Sequence, residues 1–141
     1  MDASATTPSG TAHVHRCQVR FADTDAAGIA WTGRIVEFAL EAIDAWFRAR
    51  LGTDWYELNI DRGVGTPFVR VAVEFRSPIT PRDMLATQVR VARLGRSSLT
   101  FAVIGRVGER VVYEGELTSV FIARSTGRAI PIPEEYRAKL V

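Results

Sequence analysis

From His13 to Phe21 the chain alternates: Cys17, Val19 and Phe21 fall on one side, Arg16, Gln18 and Arg20 on the other. That period predicts a half-buried strand. Ala22 to Gly28 (ADTDAAG) holds two aspartates, a threonine and a glycine, and predicts a turn. The period then becomes helical. Ile35, Phe38, Ala39, Ala42, Trp46 and Ala49 recur at three- and four-residue steps from about Thr32 to Leu51, and Gly52 stands where a helix ends. A short helical turn is expected around Trp55 to Asn59. After Gly63 the alternation returns. Val69 to Phe75, Leu85 to Val91, Leu99 to Val103 and Val111 to about Ala123 read as four strands, with turn signals between them. The closing IPIPEEYRAKL predicts a short helix after Pro133. One strand, one long helix and four strands in hairpin succession give an α+β architecture: a five-stranded antiparallel sheet with the helix over one face. No internal repeat or linker interrupts residues 13–141, which read as a single domain; the small polar residues 1–12 read as a disordered leader.

Composition narrows the class. The chain has 141 residues, 47% hydrophobic and 24% charged, as expected of one globular domain. A two-domain Rossmann enzyme, a TIM barrel and a kinase are all too long to fit. Cys17 is the single cysteine, so neither an intrachain disulfide nor a cysteine-based zinc site is available. The net charge of +2 gives no reason to invoke nucleic acid. No apolar run approaches the roughly 18 residues of a membrane span, and the first residues lack the apolar stretch of a signal peptide. A cytoplasmic location without membrane association is expected. Of the 18 basic residues only Lys139 is a lysine. A GC-rich genome would produce that bias; so would phosphate binding, since guanidinium forks match phosphate oxygens.

Glycine-rich nucleotide loops, GxSxG, HExxH and CxxC are all missing from the sequence. His13 and His15 share one face of the first strand, but two ligands make a poor metal site, and no metal is expected. Cys17 points to the core side, as a small hydrophobe does. The carboxylates of Asp23 and Asp25 remain. An aspartate in a turn before a helix commonly caps amides. Here Ala26 to Trp31 is a small, apolar stretch, which lets a substrate approach the backbone and sharpens electrostatics. A carboxylate beside helix N-terminal amides can attack a carbonyl, or activate water, while those amides hold the developing oxyanion. The residues alone fit both readings.

The segment FADTDAAGIAWTGRIVEFALEA resembles the signature of the 4-hydroxybenzoyl-CoA thioesterase family, which has the hotdog fold, and looks most like its Pseudomonas-type branch. The resemblance continues in DRGVGTPFVRVAVEFRSPITPRDML and in IPIPEEY, from about Val14 to Tyr136. It implies a five-stranded sheet wrapped around one long central helix, in a homodimer or homotetramer. It puts the catalytic carboxylate at Asp25, support of the turn at Asp23 and Gly28, and carbonyl-polarising backbone amides at Trp31, Thr32 and Gly33. Thr32 departs from the Tyr or His that many relatives have there. RGVGTP, Arg62 to Pro67, matches a further family feature, and Gly65 and Thr66 are expected near substrate; plain turn glycines would give the same pattern. Because coenzyme A carries phosphates, Arg93, Arg96, Arg124 and Arg128, at strand ends and turns, are the expected phosphate ligands, with solvated surface charge as the alternative.

The activity implied is hydrolysis of an acyl- or aroyl-CoA, of the 4-hydroxybenzoyl-CoA kind, to the acid and free coenzyme A. Asp25 would be nucleophile or general base, and no cofactor is expected. Trp31 and Phe38 near the helix start favour aromatic or compact acyl groups. Two alternatives stay open. A hotdog hydratase or dehydratase works through a histidine beside an acid, whereas His13 and His15 stand outside the turn. A non-catalytic acyl-CoA-binding module would bind without releasing thiol.

Overall fold

The computed structural model describes residues 12–140, so the expected leader lies outside the described residues except for Ala12. Strand β1 (His13–Gln18) leads through a 3-10 turn (Phe21–Asp23) to helix α1 (Thr32–Trp46), which continues as a wider π-helical turn (Phe47–Leu51). A second helical stretch ends in Glu57–Asp61. Strands β2 (Val64–Gly65), β3 (Phe68–Phe75), β4 (Met84–Leu94), β5 (Ser98–Val107), β6 (Arg110–Val120) and β7 (Ile122–Ala123) follow, then helix α2 (Glu134–Arg137). The main sheet is antiparallel in the order β1-β4-β5-β6-β3, and β2 pairs with β7 in a small ribbon. Five strands and one long helix are the architecture that the hydrophobic pattern predicts.

Helix α1 buries Ile35, Phe38, Ala39, Ala42, Ile43 and Trp46, the stripe anticipated from periodicity. It packs on β1, β4 and β5, where Leu85, Val89, Phe101 and Val103 meet it in the core. Trp46 meets Phe101 edge-on, with ring centroids 4.9 Å apart. One helix covers only part of five strands. On the edge strand β3, Val71 lies opposite core Leu117 and Phe75 opposite core Tyr113, yet both remain exposed. The alternation in β3 therefore marks an apolar face that this chain does not itself cover.

Three expectations need correction. The first strand ends early: the Arg20 amide donates to Asp23 Oδ2 at 2.8 Å, which turns the chain and leaves Phe21 84% exposed instead of on the core face. The last strand breaks at Phe121, whose side chain enters the core while its amide donates to the Ser97 carbonyl, so β6 and β7 join different sheets. The helical stretch expected to end at Asn59 runs on to Asp61, its start fixed by the Glu57 amide donating to Asp54 Oδ1 at 2.8 Å. Among the described residues no helix is long and apolar enough to cross a membrane.

Candidate active site

The turn between β1 and α1 is a small hairpin. Thr24 bridges Ala30, the Asp25 amide donates to the Ile29 carbonyl at 3.0 Å, and the Gly28 amide donates to the Asp25 carbonyl at 2.9 Å. Gly28 closes it at φ +76°, a conformation that strains any residue with a Cβ. The Ala30 amide anchors the exit to the Ile79 carbonyl at 2.8 Å. The Asp25 carboxylate is exposed, and its Oδ1 accepts from the Ala27 amide at 2.8 Å.

The helix that follows starts without a cap. Trp31 occupies the N-cap position and offers no side-chain hydrogen bond, and the first turn holds no acidic residue. The amides of Arg34 and Ile35 reach the Trp31 carbonyl at 2.9 and 3.1 Å, while those of Thr32 and Gly33 find no acceptor among the described residues. The Trp31 indole, 47% exposed, lies over Gly33: a Cβ there would fall 2.2 Å from the ring. The positive end of the helix dipole is thus open beside an aromatic wall, directly after the Asp25 hairpin. Phe38 is different, a core residue 2% exposed. Of the two aromatics noted near the helix start, only Trp31 is accessible.

Asp23 is 3% exposed. Its Oδ2 accepts from the Arg20 amide and its Oδ1 from Arg34 Nε, both at 2.8 Å. Burial pushes its carboxyl up, but the Arg20 amide and the Arg34 guanidinium outweigh this and hold it below the usual carboxylate value. Arg34 also bonds Glu37 at 3.3 Å and Glu41, and lies 4.3 Å above the Phe38 ring. Sequence reasoning missed Arg34. The signal was there: a cation in the first turn of a helix opposes the dipole and calls for dedicated acidic partners.

Gly65 and Thr66 line an apolar pocket of about 480 Å³ together with Leu40, Trp55, Phe68 and Arg124. Trp55 and Phe68 were not anticipated there. The indole Nε1 of Trp55 is buried without a hydrogen-bond partner among the described residues. Asp25 does not line the pocket, so one chain does not join the carboxylate turn to it. Arg124 borders the pocket and donates from Nη1 to the Asn59 carbonyl at 2.7 Å. Arg96 and Arg128 occupy exposed turns at the same end of the sheet: the Ile132 amide donates to the Arg96 carbonyl and the Ala123 amide to the Arg128 carbonyl. Arg93 pairs with Glu116 at 2.8 Å on the sheet face away from α1. The four arginines are therefore not gathered at one point. His13 and His15 lie on β1, opposite Val89 and Thr87. Cys17 is half-buried, its thiol pushed up chiefly by burial.

Comparison with known proteins places this geometry. Residues 19–140 match the model of the Thioesterase-like superfamily. A 1,4-dihydroxy-2-naphthoyl-CoA hydrolase of Thermosynechococcus vestitus is 28% identical over 124 residues, 86% of this chain and 84% of that protein. The crystal structure of a thioesterase superfamily protein from Jannaschia sp. CCS1 superposes with a TM-score of 0.86 at 40% identity, covering 96% of this chain and 94% of that one. A gentisyl-coenzyme A thioesterase superposes with a TM-score of 0.82 at 27% identity, covering 92% and 100%. With its sheet, central helix and nearly the whole of its described length matched, the chain belongs to the thioesterase-like superfamily and has the hotdog fold.

Proposed function

We propose that the protein is an acyl-CoA thioesterase that hydrolyses an aroyl-CoA, or a similarly compact acyl-CoA, to the acid and free coenzyme A. The observation that carries this reading is the uncapped start of α1, with the Thr32 and Gly33 amides open immediately after a hairpin that presents Asp25. A thioester carbonyl seated on those amides gains negative charge as its carbon is attacked, and the donors hold that charge. Asp25 supplies the attack in one of two ways. As nucleophile it forms a mixed anhydride, coenzyme A leaves as thiolate, and water then cleaves the anhydride. As base it takes a proton from a water that adds to the same carbon. Position 32 contributes a backbone N–H, which threonine supplies as well as tyrosine or histidine. The Trp31 indole offers a flat face to an aromatic acyl group. Two relatives are named for aroyl-CoA substrates, and the resemblance of the FADTDAAGIAW segment to an aroyl-CoA thioesterase branch supports the same reading. Arg96, Arg124 and Arg128 are the phosphate ligands at one end of the sheet; Arg93 joins them only by leaving Glu116.

The active unit is a homodimer, whether or not it doubles to a tetramer. Edge strand β3, with Val71 and Phe75 uncovered, supports pairing with a second copy. The pocket at Gly65 and Thr66, which Asp25 of the same chain does not line, would then meet the Asp25 of the other. Thiol release across a panel of acyl-CoA esters tests the reading. Benzoyl-CoA and hydroxylated aroyl-CoA esters should release thiol faster than acetyl- or palmitoyl-CoA. Binding without release would make the protein a carrier module, and hydration of an enoyl-CoA would make it a hydratase. A long-chain ester turned over faster than any aroyl ester would overturn the aromatic preference.

A further inference from the structure

We propose that Arg34 is the positioning residue of this site: its guanidinium ties the strand side of the carboxylate turn to the first turn of α1 and so sets Asp25 against the Thr32 and Gly33 amides. The inference rests on the role given above to Asp25. Asp23 stands two residues before Asp25, and Arg34 directly follows Gly33. The 2.8 Å bond from Arg34 Nε to Asp23 Oδ1 therefore clamps the two ends of the segment that carries both halves of the site. Neither partner is free to swing. The other Asp23 oxygen is held by the Arg20 amide at 2.8 Å, and the guanidinium lies 4.3 Å over the Phe38 ring with Nη1 bonded to Glu37 and Glu41. Serving Asp23 through Nε and two glutamates through Nη1 needs the rigid planar fork; the single ammonium of a lysine does not reproduce it.

Helix stability alone does not account for this arginine. The first turn of a helix favours an acid, and a cation there works against the dipole. The Asp25 side chain is exposed, and among the described residues its carboxylate is bonded only within its own turn, by the Ala27 amide. Its distance from the helix amides is thus set by how firmly the two ends of the segment are joined. A misplacement on the order of 1 Å can cost about 100-fold in rate.

The test compares Arg34→Met with Arg48→Met in the full chain, assayed well below each melting temperature. Arg48 pairs with Asp44 at 2.7 Å one turn along the same helix and serves as the control for losing a helix ion pair. Arg34→Met should lower kcat about 10- to 100-fold with KM for the acyl-CoA changed less than about threefold, while Arg48→Met keeps wild-type kinetics. Should Arg34→Met fail to fold, Arg34→Lys keeps the charge without the fork and should show the same fall in kcat at near-constant KM. A folded Arg34 variant within about twofold of wild-type kcat, beside an inactive Asp25→Asn, removes this inference alone. An active Asp25→Asn removes the reading of the site and this inference together.

Discussion

Asp23 makes a contribution to stability that pH can expose. Its folded-state pKa lies below the ordinary carboxylate value of about 3.9, so its contribution is complete above that pH and is lost as pH falls through the folded value. Asp23→Asn should lower the melting temperature at pH 7, because the Arg20 amide and Arg34 Nε lose a charged acceptor, and a hydrogen bond to a charged group is worth about 1.5–3 kcal/mol. It should also flatten the fall in melting temperature below about pH 4; an equally steep acid limb in the variant would show that Asp23 is not its source. Gly33→Ala makes a different point. Alanine is the better helix former by about 1 kcal/mol, so the fold should hold, yet its Cβ displaces the Trp31 indole. The ratio of kcat/KM for benzoyl-CoA over acetyl-CoA should therefore fall, and an unchanged ratio would take Trp31 out of substrate selection. At this scale the sequence was legible where a residue type implies a fixed geometry: Asp25 and Gly28 stand in a tight hairpin beside the helix start, and Asp23 in the turn that leads into it. Arg34 was legible only as a cation at a helix start, where the dipole opposes it; its partners are fixed only once the chain folds. The four arginines were read as one group because strand ends look alike in sequence, while the face on which Arg93 lies depends on a bulge between Val91 and Arg93.

Between elements, one buried polar tie joins β4 to β6 across β5. Tyr113 and Thr87 share a hydrogen bond of 2.7 Å inside the core. Burial pushes the Tyr113 phenol well above its usual value, with Thr87 only partly opposing. Its contribution is therefore intact below about pH 10 and is lost as pH rises beyond that, because the unfolded chain ionises first. Tyr113→Phe should cost about 1–3 kcal/mol at pH 7 by leaving the Thr87 hydroxyl unpaired, and should blunt the loss of stability above pH 10; chemical denaturation across pH measures both. Alternation found each strand of the main sheet, since side chains must face opposite sides of it. It did not say what lay over them. Periodicity reports which side a residue faces, and it is silent on whether anything covers that side, as β3 shows. The early end of β1 has the same origin: the Arg20–Asp23 bond overrides an alternation that continues in the letters.

At the scale of the whole molecule, the uncovered inner face of β3 and a Gly65 pocket that Asp25 does not line ask for a second copy. Light scattering at micromolar concentration should give at least a dimer. Val71→Glu, which puts a charge on the exposed inner face of the edge strand, should shift it toward monomer and abolish turnover while circular dichroism stays native; a fully active monomer would contradict the shared site. Asp25 carries the catalytic assignment, and the most direct measurement is steady-state thiol release by Asp25→Asn beside wild type, with melting temperature and KM followed together. The substitution keeps the size of the side chain and removes its charge. A fall in kcat of at least about 10²-fold is expected, with binding and fold retained. Turnover near wild type, with only about 1 kcal/mol of stability lost as for a capping residue, would contradict it.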